Sequence, residues 1–241
     1  MLRDTMVAAG AMLALGGCTV GQAQDGGPTV QRQFAVGAFN KLEVAGPYDV
    51  TVATGGQPAA QARGAQNLLE HTVVEVKNRT LRIYPRKDGR WFGNGFQWRG
   101  GKAAFQVTVP MLTGAAVAGS GNIKVDRVQT GEFAGSVAGS GNLGIGQLQV
   151  QRLGLEIAGS GAATAAGRAA DARYEVAGSG DIDAGGLQVE RLKAEIAGSG
   201  NIKARATGSA EVDIAGSGDV EVSGGAKCTV SKAGSGDVRC S

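Results

Sequence analysis

Glu195-Ile196-Ala197-Gly198-Ser199-Gly200-Asn201-Ile202-Lys203-Ala204 holds the pattern that decides the fold. Apolar residues alternate with polar ones on both sides of a Gly-Ser-Gly break. The phrase Ala-Gly-Ser-Gly begins at Ala118, Ala138, Ala158, Ala177, Ala197, Ala215 and Ala233, at intervals of 20, 20, 19, 20, 18 and 18 residues. A fixed period near 20 marks a solenoid, in which each repeat adds one coil.

The flanks of the seven copies stay in step. Before the phrase stand Val117, Val137, Ile157, Val176, Ile196, Ile214 and Lys232; after it come Ile123, Leu143, Ala163, Ile182, Ile202, Val220 and Val238. With the next apolar position on either side, these make 28 sites, of which only Gly135 and Lys232 are neither apolar nor aromatic. The residues between them are mostly polar. This is period-two alternation, which predicts strands with one buried face. The strands are expected to be short, three to five residues, turned by glycine at positive φ. The Asn or Asp after every phrase but one, where Ala162 stands, is expected to serve the turn through its tolerance of left-handed conformations. The fold class is therefore all-β: a single-stranded parallel β-helix of about seven to nine coils. Its equivalent residues stack about 4.8 Å apart. A disordered Gly/Ser linker would not keep apolar columns aligned.

Composition fits one domain. The chain has 241 residues, 42% hydrophobic, 42 glycines and a net charge of +3. That charge makes no bulk case for nucleic acid. At the N-terminus, Arg3 precedes an apolar run from Thr5 to Leu15, too short to span a bilayer. The run ends in Leu15-Gly16-Gly17-Cys18, which resembles a bacterial lipobox. Residues 1–17 are read as a lipoprotein signal peptide and Cys18 as the lipid attachment point. The competing reading is an ordinary signal peptide with an incidental cysteine. Thr19 after the cysteine resembles the pattern sent to the outer membrane, so the protein is expected there, facing the periplasm or the surface. Its first partner is the membrane, through that lipid. Residues 18–33 are read as a flexible tether and 34–241 as the solenoid, with irregular coils over 34–112 and regular ones over 113–241.

Within the irregular part, Ala45-Gly46-Pro47-Tyr48-Asp49-Val50 reads as an eighth, degenerate copy, and Val74 to Ile83 as a ninth. Residues 86–102 read as an inserted hairpin around Gly93-Asn94-Gly95. It concentrates Arg90, Trp91, Phe92, Phe96, Trp98 and Arg99. Two readings stand: a binding site for sugars, lipid headgroups or protein, or a cap over the solenoid end. Cys228 and Cys240 fall at inward positions of the last coil. They form either a disulfide, in keeping with an oxidising compartment, or two buried thiols.

The chain resembles the head GIN domain family, described as auto-transporter adhesins. The resemblance runs through Gly46 to Val50, Leu81 to Ile83, Val107 to Leu112 and the GSG-Asn/Asp-Ile ladder, and covers about residues 34–241. It implies a β-helical fold, export and an envelope or surface setting. It brings no catalytic residues.

Chemistry is sparse elsewhere. Glu156, Glu175, Glu195 and Asp213 share one outward column, where stacked carboxylates either bind Ca²⁺ or form a solvated face. Asp181/Asp183 and Asp219/Glu221 are the acids a polysaccharide-cleaving β-helix would need, but the only histidine is His71, and no triad, HExxH, CxxC or phosphate-loop pattern is present. No cofactor is expected. The reading is a non-catalytic envelope module, adhesin-like or structural, with a glycan or an envelope protein as its ligand. A carbohydrate-active β-helix enzyme is the alternative.

Overall fold

Period-two alternation with a glycine corner winds the chain into a parallel β-solenoid of about six turns. The computed structural model describes residues 27–86 and 103–241. Cys18 and the aromatic-basic segment with Arg90, Trp91, Phe92, Phe96, Trp98 and Arg99 lie outside the described residues. The elements in chain order are β1 (Thr29–Phe34), β2 (Lys41–Ala45), β3 (Tyr48–Thr54), β4 (Ala59–Ala65), α1 (Gln66–Glu70), β5 (Thr72–Lys77), β6 (Thr80–Pro85), β7 (Ala103–Val109) and β8 (Gly114–Gly119). Then come the laps β9 (Asn122–Gly139), β10 (Asn142–Gly159), β11 (Ala162–Gly178), β12 (Asp181–Gly198) and β13 (Asn201–Gly216), followed by β14 (Val220–Ser223), β15 (Lys227–Gly234) and β16 (Val238–Cys240).

The strands are longer than the three to five residues expected. β9 through β13 each run 16 to 18 residues, almost a full lap. The Gly-Ser-Gly corner ends each strand, and the register shifts at bends within the later ones. The other two bends are places where consecutive residues both face outward, Asp126-Arg127 and Gly131-Glu132 in β9. Three inward segments result per lap. In β10 they are Leu143 and Ile145, then Leu148 and Val150, then Leu153, Leu155 and Ile157, all at most 6% exposed. The middle segment is the one that simple alignment around the glycine phrase leaves out. The shorter laps lose residues there: β13 keeps only Ala206 opposite Val189, with register shifts on either side.

Lap on lap, identical positions pair in register. Ile157 sits beside Val176, Ile196 beside Ile214 and Gly159 beside Gly178. The two glycines of each corner are required for different reasons. Gly159 takes φ +130°, a conformation that an L side chain resists. Gly161 does not; a Cβ there would lie 2.3 Å from the Gly141 carbonyl oxygen and 2.6 Å from Val137 Cγ1. The stack itself therefore excludes any side chain at the second position. The inward Gly135 is also a packing choice, since its Cβ would meet Leu143 and Leu155 side chains at 2.6 and 2.8 Å.

The corner Asn and Asp residues do not take positive φ; among non-glycine described residues only Asn78 and Arg79 do. They form a side-chain ladder instead. Asn122 Nδ2 donates to Asp49 Oδ1 at 2.6 Å, and Asn142 Nδ2 to Asn122 Oδ1 at 2.7 Å. Further on, Asn201 donates to Asp181 and the Asp237 backbone N–H to Asp219 Oδ1. Ala162 interrupts this ladder.

The N-terminal coils depart from the simple stack. Gly46 does make a corner: φ is +118°, its N–H donates to the Ala118 carbonyl, and β2 and β3 pair parallel with β8 and β9. The expected ninth copy is not a lap. β5 and β6 form an antiparallel hairpin, Val74 opposite Ile83, turning at Asn78-Arg79. This is why the solenoid counts fewer turns than seven to nine: the seven glycine phrases bound six laps. β6 and β7 lie on the outer side of β2 and β3. β1 and β4 then close the N-terminal end as antiparallel strands, with α1 across them. The polar segment read as a tether through residue 33 joins the fold at Thr29, because β1 gains a full edge pairing with β4. At the other end a disulfide joins Cys228 and Cys240, with Cα atoms 6.6 Å apart. Cys228 is partly buried and Cys240 exposed, since no further lap covers them. Lys232 stands in an inward column and reaches out to the Gly236 carbonyl at 2.7 Å.

Candidate functional site

The most structured outward surface is the sheet face that ends in the Ala-Gly of each corner. Strand alternation sends every second residue outward, and lap stacking turns these residues into four columns. The first is Glu132, Arg152, Asp171, Arg191, Ser209, Lys227, which alternates in sign over its first four members. The second is Gly154, Arg173, Lys193, Glu211. The third is Glu156, Glu175, Glu195, Asp213, brought together as the sequence spacing requires. The fourth is the exposed alanine of each corner.

Ion pairs knit these columns. Arg152 meets Glu132 at 3.2 Å; Arg191 grips Asp171 through both carboxylate oxygens, at 2.5 and 2.9 Å. Those bonds hold the Asp171 carboxyl below its ordinary range, with hydrogen bonding from Arg191 as the main cause. Arg173 bonds Glu175 and reaches across to Glu195 at 3.0 Å. Lys193 bridges Glu195 at 3.0 Å and Glu211 at 3.1 Å. The acidic column is thus threaded by cations. Among the described residues no group of three His, Cys, Asp or Glu is placed to hold a metal ion. Glu175 and Glu195 spend their oxygens on Arg173 and Lys193.

The face is shallowly concave. One depression of about 660 Å³ lies over the first two columns, lined by Arg152, Asp171, Arg173, Arg191 and Lys193. A second of about 480 Å³ follows the acidic column beside the alanines. A third of about 460 Å³ lies at β8 and β9, where Ala116, Ala134 and Ser136 leave room between Lys41 and Glu156. Sequence reasoning singled out the acids but not their partners Arg152, Arg173, Arg191 and Lys193. Their signal was a charge of opposite sign recurring one period away.

The acids proposed for an enzyme lie elsewhere. Asp181 accepts from Asn201, Asp183 Oδ1 from the Gly185 backbone N–H at 3.2 Å, and Asp219 from the Asp237 N–H. They belong to the corner ladder and the adjacent bend. His71 ends α1, its Nδ1 2.8 Å from the Asn67 carbonyl oxygen. No helix among the described residues is long and apolar enough to cross a membrane.

Comparison with known proteins gives a consistent picture. The family model described as "Putative auto-transporter adhesin, head GIN domain" matches residues 38–226. A "putative adhesin" of Bacteroides fragilis superposes with a TM-score of 0.79 at 25% identity, covering 89% of this chain and 97% of that one. Two Parabacteroides distasonis structures share the fold at 24% identity, again covering 89% of this chain. One, a "putative lipid binding protein", has a TM-score of 0.70 and is covered over 97% of its length. The other, a "putative adhesin", has a TM-score of 0.68 and is covered over 98%. No curated protein matches.

Proposed function

The chain belongs to the head GIN domain family, and from that premise we propose that it is a non-catalytic, adhesin-like module of the cell envelope. In this reading acyl chains on Cys18 hold it to the outer membrane, and the charged sheet face binds an envelope or surface polysaccharide. The family description supports the adhesive class and the surface setting. The single observation that carries the choice of face is its columns. Arg173 and Lys193 stand on adjacent laps, about 4.8 Å apart, and Arg152 and Arg191 stand two laps apart in the neighbouring column, over a backbone that cannot rearrange without unstacking laps. A polymer with repeating hydroxyl and carboxylate groups meets cationic donors at fixed multiples of that spacing. No assembly of nucleophile, base and oxyanion donors is needed for that role.

The test is a glycan array with the intact protein and with Arg152→Ala/Arg173→Ala/Lys193→Ala. Exposed pairs contribute at most about 1 kcal/mol each to folding, so melting should barely move while glycan retention is lost. Retention by the triple variant would remove this face as the site. Release of reducing ends from envelope polysaccharide, titrating with protein, would replace the adhesin reading with the enzymatic one. Palmitate labelling that depends on Cys18 checks the anchor.

A further inference from the structure

The N-terminal end of the solenoid differs from its body in charge. The six laps from Thr113 to Ala226 carry nine Lys and Arg against thirteen Asp and Glu, a net of −4. The described N-terminal part, residues 27–86 and 103–112, carries seven against four, a net of +3. Its acids are largely engaged: Glu43 pairs with Arg82 at 3.0 Å, Glu75 accepts from Tyr84 Oη, and Asp49 accepts from Asn122. Its cations are mostly not. Lys41, Lys77 and Arg79 are exposed and make no ion pair among the described residues.

The fold puts those three side by side. Thr80 pairs with Lys41 on one side and Lys77 on the other, and the Arg79 carbonyl accepts from the Asn40 and Lys41 N–H groups at 2.9 and 3.2 Å. The hairpin turn at Asn78-Arg79 holds Arg79 outward. Arg63 and Arg86 add exposed charge elsewhere on the same rim.

The chain enters at this end too. β1 is the edge strand there, and Pro28 accepts from the Gln66 N–H beside α1 at 3.0 Å. From Cys18 to Gly27 is nine residues, at most about 30 Å of extended chain. Whatever anchors Cys18 therefore keeps the basic rim close to the membrane, while the last lap stands roughly 30 Å farther along the axis, from six laps at about 4.8 Å each.

We infer that the N-terminal rim, with Lys41, Lys77 and Arg79 at its centre, docks on anionic phospholipid headgroups and stands the solenoid end-on from the membrane. The inference takes its orientation from the Cys18 lipoprotein reading. An exposed cation at an anionic surface strengthens partition about fivefold, so the three together supply about a hundredfold. The acidic body is repelled from the same surface, which favours end-on over side-on contact.

The test uses the mature chain of the lipoprotein reading, beginning at residue 18 and carrying Cys18→Ser, so that neither an acyl chain nor the apolar leader contributes. It is sedimented with vesicles of phosphatidylglycerol and phosphatidylethanolamine, and with vesicles of phosphatidylcholine alone. Partition is expected on the anionic vesicles only, weakening as salt rises. Lys41→Gln/Lys77→Gln/Arg79→Gln is expected to lose it about a hundredfold. The charge-keeping Lys41→Arg/Lys77→Arg/Arg79→Lys variant retains it, which separates charge from any folding defect. Lys227→Gln/Arg239→Gln, at the far end, leaves it unchanged. Equal binding to neutral vesicles, full binding by the glutamine triple, or equal loss in the far-end variant overturns the inference. Failure of the lipoprotein reading shows separately, as absence of palmitate on Cys18, and does not alter the vesicle result.

Discussion

At the scale of single residues, two glycines of similar appearance carry very different loads. Gly161 faces the Gly141 carbonyl oxygen of the lap above, so a methyl group there forces laps apart. Gly154 lies on the open face with nothing within 4 Å of a built Cβ and no positive φ. Gly161→Ala should cost about 3 kcal/mol, the upper range for overpacking. Gly154→Ala should be neutral or stabilise by about 0.5–1 kcal/mol, through lost unfolded-state freedom and better strand propensity. Urea melts of the two variants check this. The buried tyrosines make a second contrast. Tyr48 Oη is 3.0 Å from Thr72 Oγ1, which itself donates to the Leu68 carbonyl, leaving Tyr48 as the donor. Tyr174 Oη is buried with no hydrogen-bond partner among the described residues, and burial pushes its pKa up. Its lap also buries four small residues, Ala163, Ala165, Ala169 and Ala172. Tyr174→Phe keeps the ring and removes an unsatisfied hydroxyl, so it should stabilise by about 1 kcal/mol. Tyr48→Phe should destabilise by about the same amount. Equal and opposite melting shifts would be the signature.

At the scale of the element, ladders are what one lap offers the next. The Asn/Asp ladder runs from residue n to its equivalent one lap on, except at Ala162. There Asn142 Oδ1 meets no side chain on the next lap, while the Asp181 N–H donates to the Gly161 carbonyl at 3.1 Å. Ala162→Asn places an amide that donates to Asn142 Oδ1, as Asn142 does to Asn122. The expected gain is about 1 kcal/mol, read as a raised melting temperature; an unchanged one would show that the ladder adds nothing beyond backbone pairing. The charge ladder makes a pH-dependent prediction. Asp171 has a folded pKa below its ordinary 3.8 because Arg191 bonds its carboxylate. A depressed carboxyl contributes stability that is full above the ordinary value and is lost as pH falls through the folded one. The stability gap between the protein and Asp171→Asn should therefore be constant above about pH 5 and close in acid. Salt should shrink it too, since the pair is solvent-exposed.

At the scale of the whole molecule, what the sequence makes legible is what repeats. Seven glycine phrases at a near-constant interval fix the coil, its inward columns and the stacking of Glu156, Glu175, Glu195 and Asp213. Departures from the repeat are harder to read. The β5–β6 hairpin shows the same apolar alternation as a lap, and only the two-residue turn at Asn78-Arg79 distinguishes antiparallel return from parallel advance. The middle inward segment, Leu148 and Val150 in β10, escapes an alignment made outward from the glycine corner, because a bend on each side of it resets the phase of alternation. The cations of the charged face are legible only as partners, once lap register is known. The same one-dimensional build governs how the molecule comes apart. Each lap is held by its neighbours, so a solenoid frays from an uncovered end. The N-terminal end is closed by antiparallel strands and α1, while the C-terminal end has β15 with Val230 46% exposed and only the Cys228–Cys240 bond across it. That bond closes a loop with a sequence separation of 12, which in the chain-entropy account is worth about 3 kcal/mol. Reduction should leave the central laps intact and free the last one. Hydrogen exchange would then quicken through β15 and β16, and next in β14 and the part of β13 that β15 covers. Backbone amides of β10 and β11 would keep their protection, because two laps still separate them from the opened end. Uniform loss of protection would instead mean that the laps unfold as one unit, and that the disulfide guards the whole stack.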